Sequence, residues 1–313
     1  MLFETNNSLY HLIRAMRPRQ WIKNLGLFAA ILFSGYLFDA GSLFKTSFAF
    51  VIFCFLSSAA YLINDIHDAH KDALQPIKKN RPIPSGKLSK ELAKFSAVIF
   101  LTLAFSMSLI FINEYFFLIC FLYFIMQIFY TYKVRNIIIL DALLVSMGFI
   151  FRVLAGGFAA GVSISSWLIL ATIGLAMLLS FGKRRSERTI LSASGLPLET
   201  RETLARYPDS LLDSMISTSA SFAIITYSLF TFQVSPQESL GIVKRFLPAS
   251  LSNPKWMMLT IPIVIYGVAR YLYVIYEKKE AESPERVLLN DKPLLATTII
   301  WVFCIILLLY IFS

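Results

Sequence analysis

The sequence predicts an all-α integral membrane protein with nine transmembrane helices and a cytoplasmic N-terminus. Three observations carry that prediction. Hydrophobic residues make up 57% of the 313 residues, charged residues only 15%, and the mean hydropathy is +0.67. A water-soluble domain of this length needs more polar surface. The apolar residues fall into runs at 21–38, 44–63, 92–112, 115–132, 138–160, 166–181, 214–232, 257–276 and 294–312. Each is close to the length that crosses about 30 Å of hydrocarbon. None alternates like a strand, and a helix satisfies its own backbone groups in lipid. A single polytopic domain over 1–313 is the simplest organisation, since no repeat or low-complexity tract divides the chain.

Lysine and arginine set the orientation. Of 29 such residues, 22 fall in the N-terminal segment and in the connections after spans two, four, six and eight. Lys45, Lys244, Arg245 and Lys255 fall on the other side, and Lys94, Arg152 and Arg270 inside spans. The expected location is therefore the cell (inner) membrane, multi-pass, with these connections in the cytoplasm and the C-terminus outside. Membrane lipids are partners, and the net charge of +10 is concentrated on one face. No nucleic-acid partner is expected, and homo-oligomer formation is left open. Cys54, Cys120 and Cys304 lie in spans without metal spacing, so no disulfide is expected. A cleavable signal peptide is not expected, because the first apolar run is too long and lacks a small-residue cleavage site.

The chain approaches its first span through YHLIRAMRPRQWIKN. Pro18 permits a break there. The basic residues and Trp21 can serve as an interfacial anchor. Lys23 and Asn24, at the start of the span, can equally bind phosphate.

The second span ends in NDIHDAHKDALQPIKKNRPIPSG, residues 64–86. Asp65, Asp68 and Asp72 are spaced i, i+3, i+7 and fall within an arc of roughly 60° on a helix. Carboxylates at membrane depth cost about 2.5–3.5 kcal/mol each on the insertion scale. Three on one face repel unless a cation sits between them. Lys78, Lys79 and Arg81 follow at once. Acids that can hold a hard metal, beside bases that can hold phosphate, point to a metal–diphosphate site. Mg²⁺ suits oxygen ligands supplied partly by protein and partly by substrate phosphates. His67 and His70 raise zinc or iron as a rival. His67 is expected on the far side of the helix from the aspartates, which weakens that rival.

The third span carries no evident chemistry. The fourth ends in Gln127, Tyr130 and Lys133, spaced three apart, with Asn136 following. Asp141 opens the fifth span, and Arg152 shares its face about 16 Å along the axis. An arginine in mid-span needs a polar cavity or a partner, so a substrate-binding role and a structural ion pair both remain open. Gly156, Gly157 and Gly161 form a small-residue surface that permits close helix packing. The sixth span ends in SFGKRRSER, where Lys183, Arg184 and Glu187 form either flanking charge or an anion clamp. Asp209 and Asp213 can be a second metal group or a helix-dipole partner. Glu285, Asp291 and Lys292 read as a solvated mixed-charge loop.

Asn64-Asp65-x-x-Asp68-x-x-x-Asp72 resembles the first aspartate motif of the UbiA prenyltransferase superfamily, as does Tyr130-x-x-Lys133 at the end of the fourth span. The span count also looks like that superfamily, which implies a UbiA-type helical bundle. Its aromatic prenyltransferases carry a second aspartate-rich motif after the sixth span. Here that position reads GKRRSE, basic instead of acidic. RPRQWIKN, LDALLVSMGFIFRVLAGG and SPERVLLNDKPLL, with GKR and its following glutamate, are similar to the decaprenyl-phosphate phosphoribosyltransferase branch.

That resemblance implies Mg²⁺, a 5-phosphoribosyl 1-diphosphate donor and a polyprenyl phosphate acceptor. The product is polyprenylphosphoryl-5-phosphoribose, an arabinose-donor precursor in cell wall biogenesis. Asp65 and Asp68 would bind the metal as catalytic residues, with Asp72 as ligand or close neighbour. Lys78, Lys79 or Arg81 would neutralise the diphosphate. Lys133, Arg152, Lys183 and Arg184 would divide the remaining phosphates. Lys23, Asn24, Asn64, Tyr130, Asn136, Asp141 and Glu187 complete the expected substrate site. Two alternatives are a prenyltransferase using a prenyl diphosphate donor and a lipid or anion transporter built on Asp141 and Arg152.

Overall fold

The computed structural model describes residues 2–74, 78–193, 202–235, 255–278 and 284–311, and these residues contain helices and no strand. In chain order the α-helices are α1 (Leu2–Met16), α2 (Phe28–Phe33), α3 (Ala40–Ala73), α4 (Lys90–Phe111), α5 (Glu114–Tyr132) and α6 (Leu140–Ala160). They continue with α7 (Ser166–Ala193), α8 (Glu202–Ala205), α9 (Asp209–Val234), α10 (Ile261–Tyr273), α11 (Pro284–Asn290) and α12 (Lys292–Ile306). Among the described residues, eight helical stretches are long and apolar enough to cross a membrane. Lys244 and Arg245, and most of the connection around them, lie outside the described residues, as do Arg201 and Lys279.

The difference from nine lies in the first expected span, 21–38. It is a 3₁₀ helix, Pro18–Leu27, followed by the six-residue α2. Ten residues is long for a 3₁₀ helix, and tertiary bonds hold this one. Trp21 Nε1 donates to Ser58 Oγ (3.1 Å), and Asn24 Nδ2 donates to Ser57 Oγ (3.4 Å). The segment starts sharply because a residue before proline is pushed out of the helical region. Arg17 takes a left-handed φ of 57°, and α1 ends at Met16.

Other boundaries follow short polar caps. Asp39 accepts from the Ser42 amide, Ser89 from Leu92 and Asn113 from Phe116. Each fills one of the vacant N–H positions of a helix start. Two helices, α3 and α7, outrun their expected spans by about three turns or more. At 1.5 Å per residue, the 34 residues of α3 extend about 51 Å and the 28 of α7 about 42 Å. The polar motifs at residues 65–72 and 183–188 are therefore helical extensions.

The chain divides into two compact units. The first holds residues 1–29, 39–144 and 151–162. Its main core joins Leu27, Ile52, Phe53, Leu56, Phe116, Tyr123 and Ala155. Gly156 shows why small residues are needed there. A Cβ on it would lie 1.8 Å from the Leu27 carbonyl oxygen. A second cluster of Ala15, Leu62, Ala69, Ile83, Leu88 and Ala93 packs around the aspartate-bearing end of α3.

The second unit holds residues 30–38, 145–150 and 163–313. There α7 and α9 meet closely, and a Cβ on Gly174 would lie 2.7 Å from the Ala223 backbone. Tyr227 bonds Thr260 (2.6 Å) and receives Trp301 Nε1 (2.8 Å), tying α9 to α12. Asp291 is not the solvated loop residue expected. It is 5% exposed, accepts from Arg270 through both oxygens at 3.0 Å and from Lys278 at 2.8 Å, and caps Leu294. Those bonds hold its carboxyl well below the usual range, with Arg270 the largest cause.

Candidate functional site

In the first unit the far end of α3 presents three carboxylates. Asp65, Asp68 and Asp72 are 1%, 7% and 2% exposed. Buried carboxylates demand countercharge, and surrounding segments supply it. Arg17 pairs with Asp65 and Arg135 with Asp68. Arg81 Nη1 lies 2.6 Å from Asp72 Oδ2 and 3.2 Å from Asp65 Oδ1. Lys78 Nζ lies 3.5 Å from Asp72 Oδ1. Arg17 is further held over the Tyr61 ring, 5.0 Å from its centroid.

Local structure explains how these cations arrive. Arg17 follows directly from the turn at the end of α1. Arg81 lies in a compact return of the chain. Ser85 N bonds the Arg81 carbonyl (3.0 Å), and Leu88 N bonds the Pro82 carbonyl (2.9 Å). Gly86 takes a φ of 74°, a conformation that glycine adopts without strain. Ile83 and Leu88, 5% and 2% exposed, anchor this turn in the cluster around α3. Arg135 lies in a 3₁₀ turn, Val134–Asn136, pinned by buried Val134. The chain then bends through Ile139 (φ 70°, ψ −53°), with Leu140 N donating to the Ile138 carbonyl at 2.8 Å. This γ-turn is of the rare positive-φ kind.

Several expected residues join this cluster and others do not. Lys78 and Arg81 reach the aspartates, while Lys79 is exposed. Lys133 is exposed with its ammonium over the Phe129 ring (5.9 Å), and its near neighbour Arg135 takes Asp68. Tyr130 and Lys23 are half-buried, and Asn136 is exposed. Asn64 accepts from Thr131 Oγ1 (3.4 Å), joining α3 to α5. Asp141 is buried in the first turn of α6, where a helix dipole favours an acid. His67 corrects the expected geometry: its Nδ1 lies 3.0 Å from Asp68 Oδ1, not away from the acids.

Asn24 and Arg152 form a separate buried group. Arg152 Nε donates to Asn24 Oδ1 (2.8 Å) and Nη2 to Tyr123 (3.1 Å). Asn24 is 0% exposed and donates to Ser57 and to Cys54 Sγ. This group fastens the 3₁₀ segment to α3 and α6.

In the second unit, Arg184 Nη1 bonds Glu187 Oε2 (3.0 Å), and Lys183 Nζ lies 3.8 Å from Glu187 Oε1. Asp209 and Asp213 answer arginines of α7. Arg188 lies 2.8 Å from Asp209, and Arg185 lies 2.8 Å from Asp213. That geometry makes them ion-pair partners that join α7 to α9.

Arg17 and Arg135, which count in the sequence only as orientation charges, contact the acids in the fold. Arg17 carries one local signal, its place before Pro18 at the end of a helix. Arg135 carries none, because the chain has left helical periodicity by Lys133.

The donor set fits a hard divalent cation. One nitrogen of Arg81 touches both Asp65 and Asp72, so a positive atom already bridges two carboxylates of α3. No three Asp, Glu, His or Cys side chains converge as a metal-binding group among the described residues. Mg²⁺ does not require that: one or two carboxylates with substrate phosphates and waters are its usual arrangement.

Comparison with known proteins adds relatives. Residues 26–183 match the UbiA prenyltransferase family. The chain is 31% identical over 304 residues to decaprenyl-phosphate phosphoribosyltransferase of Corynebacterium glutamicum, spanning 96% of this chain and 87% of that one. Its namesake in Mycolicibacterium smegmatis is 30% identical over 300 residues, 95% and 91% of the two chains. The fold matches a UbiA homologue from Archaeoglobus fulgidus solved with GPP and Mg²⁺, with a TM-score of 0.67 at 17% identity over 96% and 99% of the chains.

Proposed function

Because the chain belongs to the UbiA prenyltransferase family, we propose that it transfers 5-phosphoribose from 5-phosphoribosyl 1-diphosphate to a polyprenyl phosphate. The products are polyprenylphosphoryl-5-phosphoribose and diphosphate. One observation carries the reading: three buried carboxylates on α3 stand among Arg17, Lys78, Arg81 and Arg135. A site of that kind suits a metal-bound diphosphate. The names of the full-length relatives support the sugar donor.

Asp65 and Asp68 would hold Mg²⁺, with Asp72 as a further ligand or an orienting neighbour. Bound there, the metal supplies charge stabilisation to a departing diphosphate. Arg81 and Lys78 add positive charge around the same leaving group. Arg binds phosphate oxygens bidentately and Lys binds as a point charge. Lys133, Lys183 and Arg184 are the cations proposed for the sugar 5-phosphate and the acceptor phosphate, with Arg152 positioned by Asn24 and Tyr123. The acceptor phosphate is already anionic, so its attack on the anomeric carbon requires no general base. The positive charge of the connections supports a cytoplasmic site and an inner-membrane location.

The test supplies purified protein with radiolabelled phosphoribosyl diphosphate, polyprenyl phosphate and Mg²⁺. Label is expected in the lipid phase. Its absence across several chain lengths sinks the reading. A second reading, prenyl transfer from a prenyl diphosphate, draws on the GPP-bound fold relative. The basic GKRRSE of α7 opposes it. A parallel reaction with a prenyl diphosphate and an aromatic or lipid acceptor decides between the two.

A further inference from the structure

We infer that Arg81 and the divalent cation compete for the carboxylates of Asp65 and Asp72, so that the metal enters only together with a diphosphate. The inference rests on the metal–diphosphate reading above and extends it to the order of binding.

Arg81 Nη1 bridges Asp72 Oδ2 and Asp65 Oδ1, at 2.6 and 3.2 Å. Both carboxylate side chains are 2% exposed, while that of Arg81 is 28% exposed. The carboxylates are fixed in the packed end of α3, and the guanidinium reaches them from a surface turn. Arg81, like Arg17 at 25%, has more room to move than the carboxylates, and it is the one whose single nitrogen spans two of them.

The three carboxylates face four cations, Arg17, Lys78, Arg81 and Arg135. Each carboxylate therefore already has a cationic partner. A bare dication entering the cluster finds no unpaired acid and must strip Arg81 of its anionic partners. A metal–diphosphate complex offsets that loss. Its phosphates bring several negative charges, and their oxygens accept the displaced guanidinium in the bidentate manner that arginine favours. Arg81 therefore passes from the aspartates to the leaving group as the metal arrives. Metal and diphosphate are coupled ligands, and each raises the affinity of the other by the same factor.

Equilibrium dialysis of the full-length protein in detergent, with radioactive manganese and with or without inorganic diphosphate, tests this. Wild type should bind manganese about tenfold or more tightly when diphosphate is present. Arg81→Gln should bind manganese alone about tenfold more tightly than wild type and lose most of the coupling. Arg81→Lys, which keeps the charge, should restore weak binding of the bare ion. Lys71→Gln removes the same charge from an exposed position on α3 and should leave both affinities within about twofold. Strong binding of manganese alone by wild type overturns the inference and leaves the metal reading standing. So does an Arg81→Gln protein that gains nothing, or an equal gain in Lys71→Gln. No manganese binding even with diphosphate overturns the metal–diphosphate reading itself. The wild-type comparison stands even if Arg81→Gln fails to fold.

Discussion

Arg152 and Asn24, 128 residues apart, meet in a fully buried hydrogen bond of 2.8 Å from Nε to Oδ1. The bond explains why an arginine is tolerated in mid-span: its donors find Asn24 and Tyr123, and its guanidinium lies over the Tyr123 ring at 5.2 Å. Asn24→Ala and Arg152→Ala should each destabilise the protein by about 1–3 kcal/mol, because each leaves buried polar groups without their partner. The double variant should cost less than the two single losses combined. Thermal unfolding in detergent checks this. Additive losses would mean that the two residues act independently.

The aspartates differ in their partners, and their variants should differ too. Asp65→Asn and Asp68→Asn are expected to lower turnover at least about a hundredfold, the scale of losing one preorganised electrostatic contact. Asp72→Asn should lose at least about tenfold, because it shares Arg81 with Asp65 and also meets Lys78. Initial rates of lipid labelling measure all three. Chelation should abolish activity, and added Mg²⁺ should restore it.

Gly156 and Gly161 should separate a steric requirement from a conformational one. A Cβ at Gly156 meets the Leu27 carbonyl oxygen at 1.8 Å, whereas nothing lies within 4 Å of one at Gly161, whose φ is 70°. Gly156→Ala should cost about 1–3 kcal/mol or more through overpacking against backbone. Gly161→Ala should cost only about 1–2 kcal/mol of left-handed strain. Folded yield and melting temperature in detergent rank the two, and equal losses would remove the steric argument.

Asp291 should make stability depend on acid pH. Arg270, then Lys278 and the Leu294 amide, hold its carboxyl below the usual range, despite the opposing effect of burial. The unfolded chain therefore takes up a proton near pH 4 while the folded chain still resists it. The contribution is fully present above that pH and is lost as pH falls toward the lowered folded value. Asp291→Asn should lower the melting temperature at neutral pH, and the gap to wild type should narrow below about pH 4. A gap that is constant across this window would contradict the assignment.

Helix content, the membrane class and the face of α3 carrying three acids were legible from composition and local spacing alone. Each depends on near neighbours in the chain, and a 3.6-residue period reports near neighbours well. The resemblance of the aspartate motif to the UbiA superfamily was legible for the same reason, since its residues are consecutive turns of one helix. The first expected span is not one regular α-helix, because its conformation is dictated elsewhere. Ser57 and Ser58 on α3 and the bare backbone at Gly156 hold residues 18–27 as a 3₁₀ helix.

The partners of the acids belong to the same class of information. Arg17, Arg81 and Arg135 come from three separate segments, and spacing carries no record of which guanidinium meets which carboxylate. Asp291 shows the point most plainly. In sequence it is one charge among many in a mixed loop, and in the fold it is a buried pin between α10 and α12. Hydrophobic patterning selects helices and their inward faces. The choice among chemically equivalent charges falls to long-range packing, because only packing removes water from one of them and leaves it dependent on a partner.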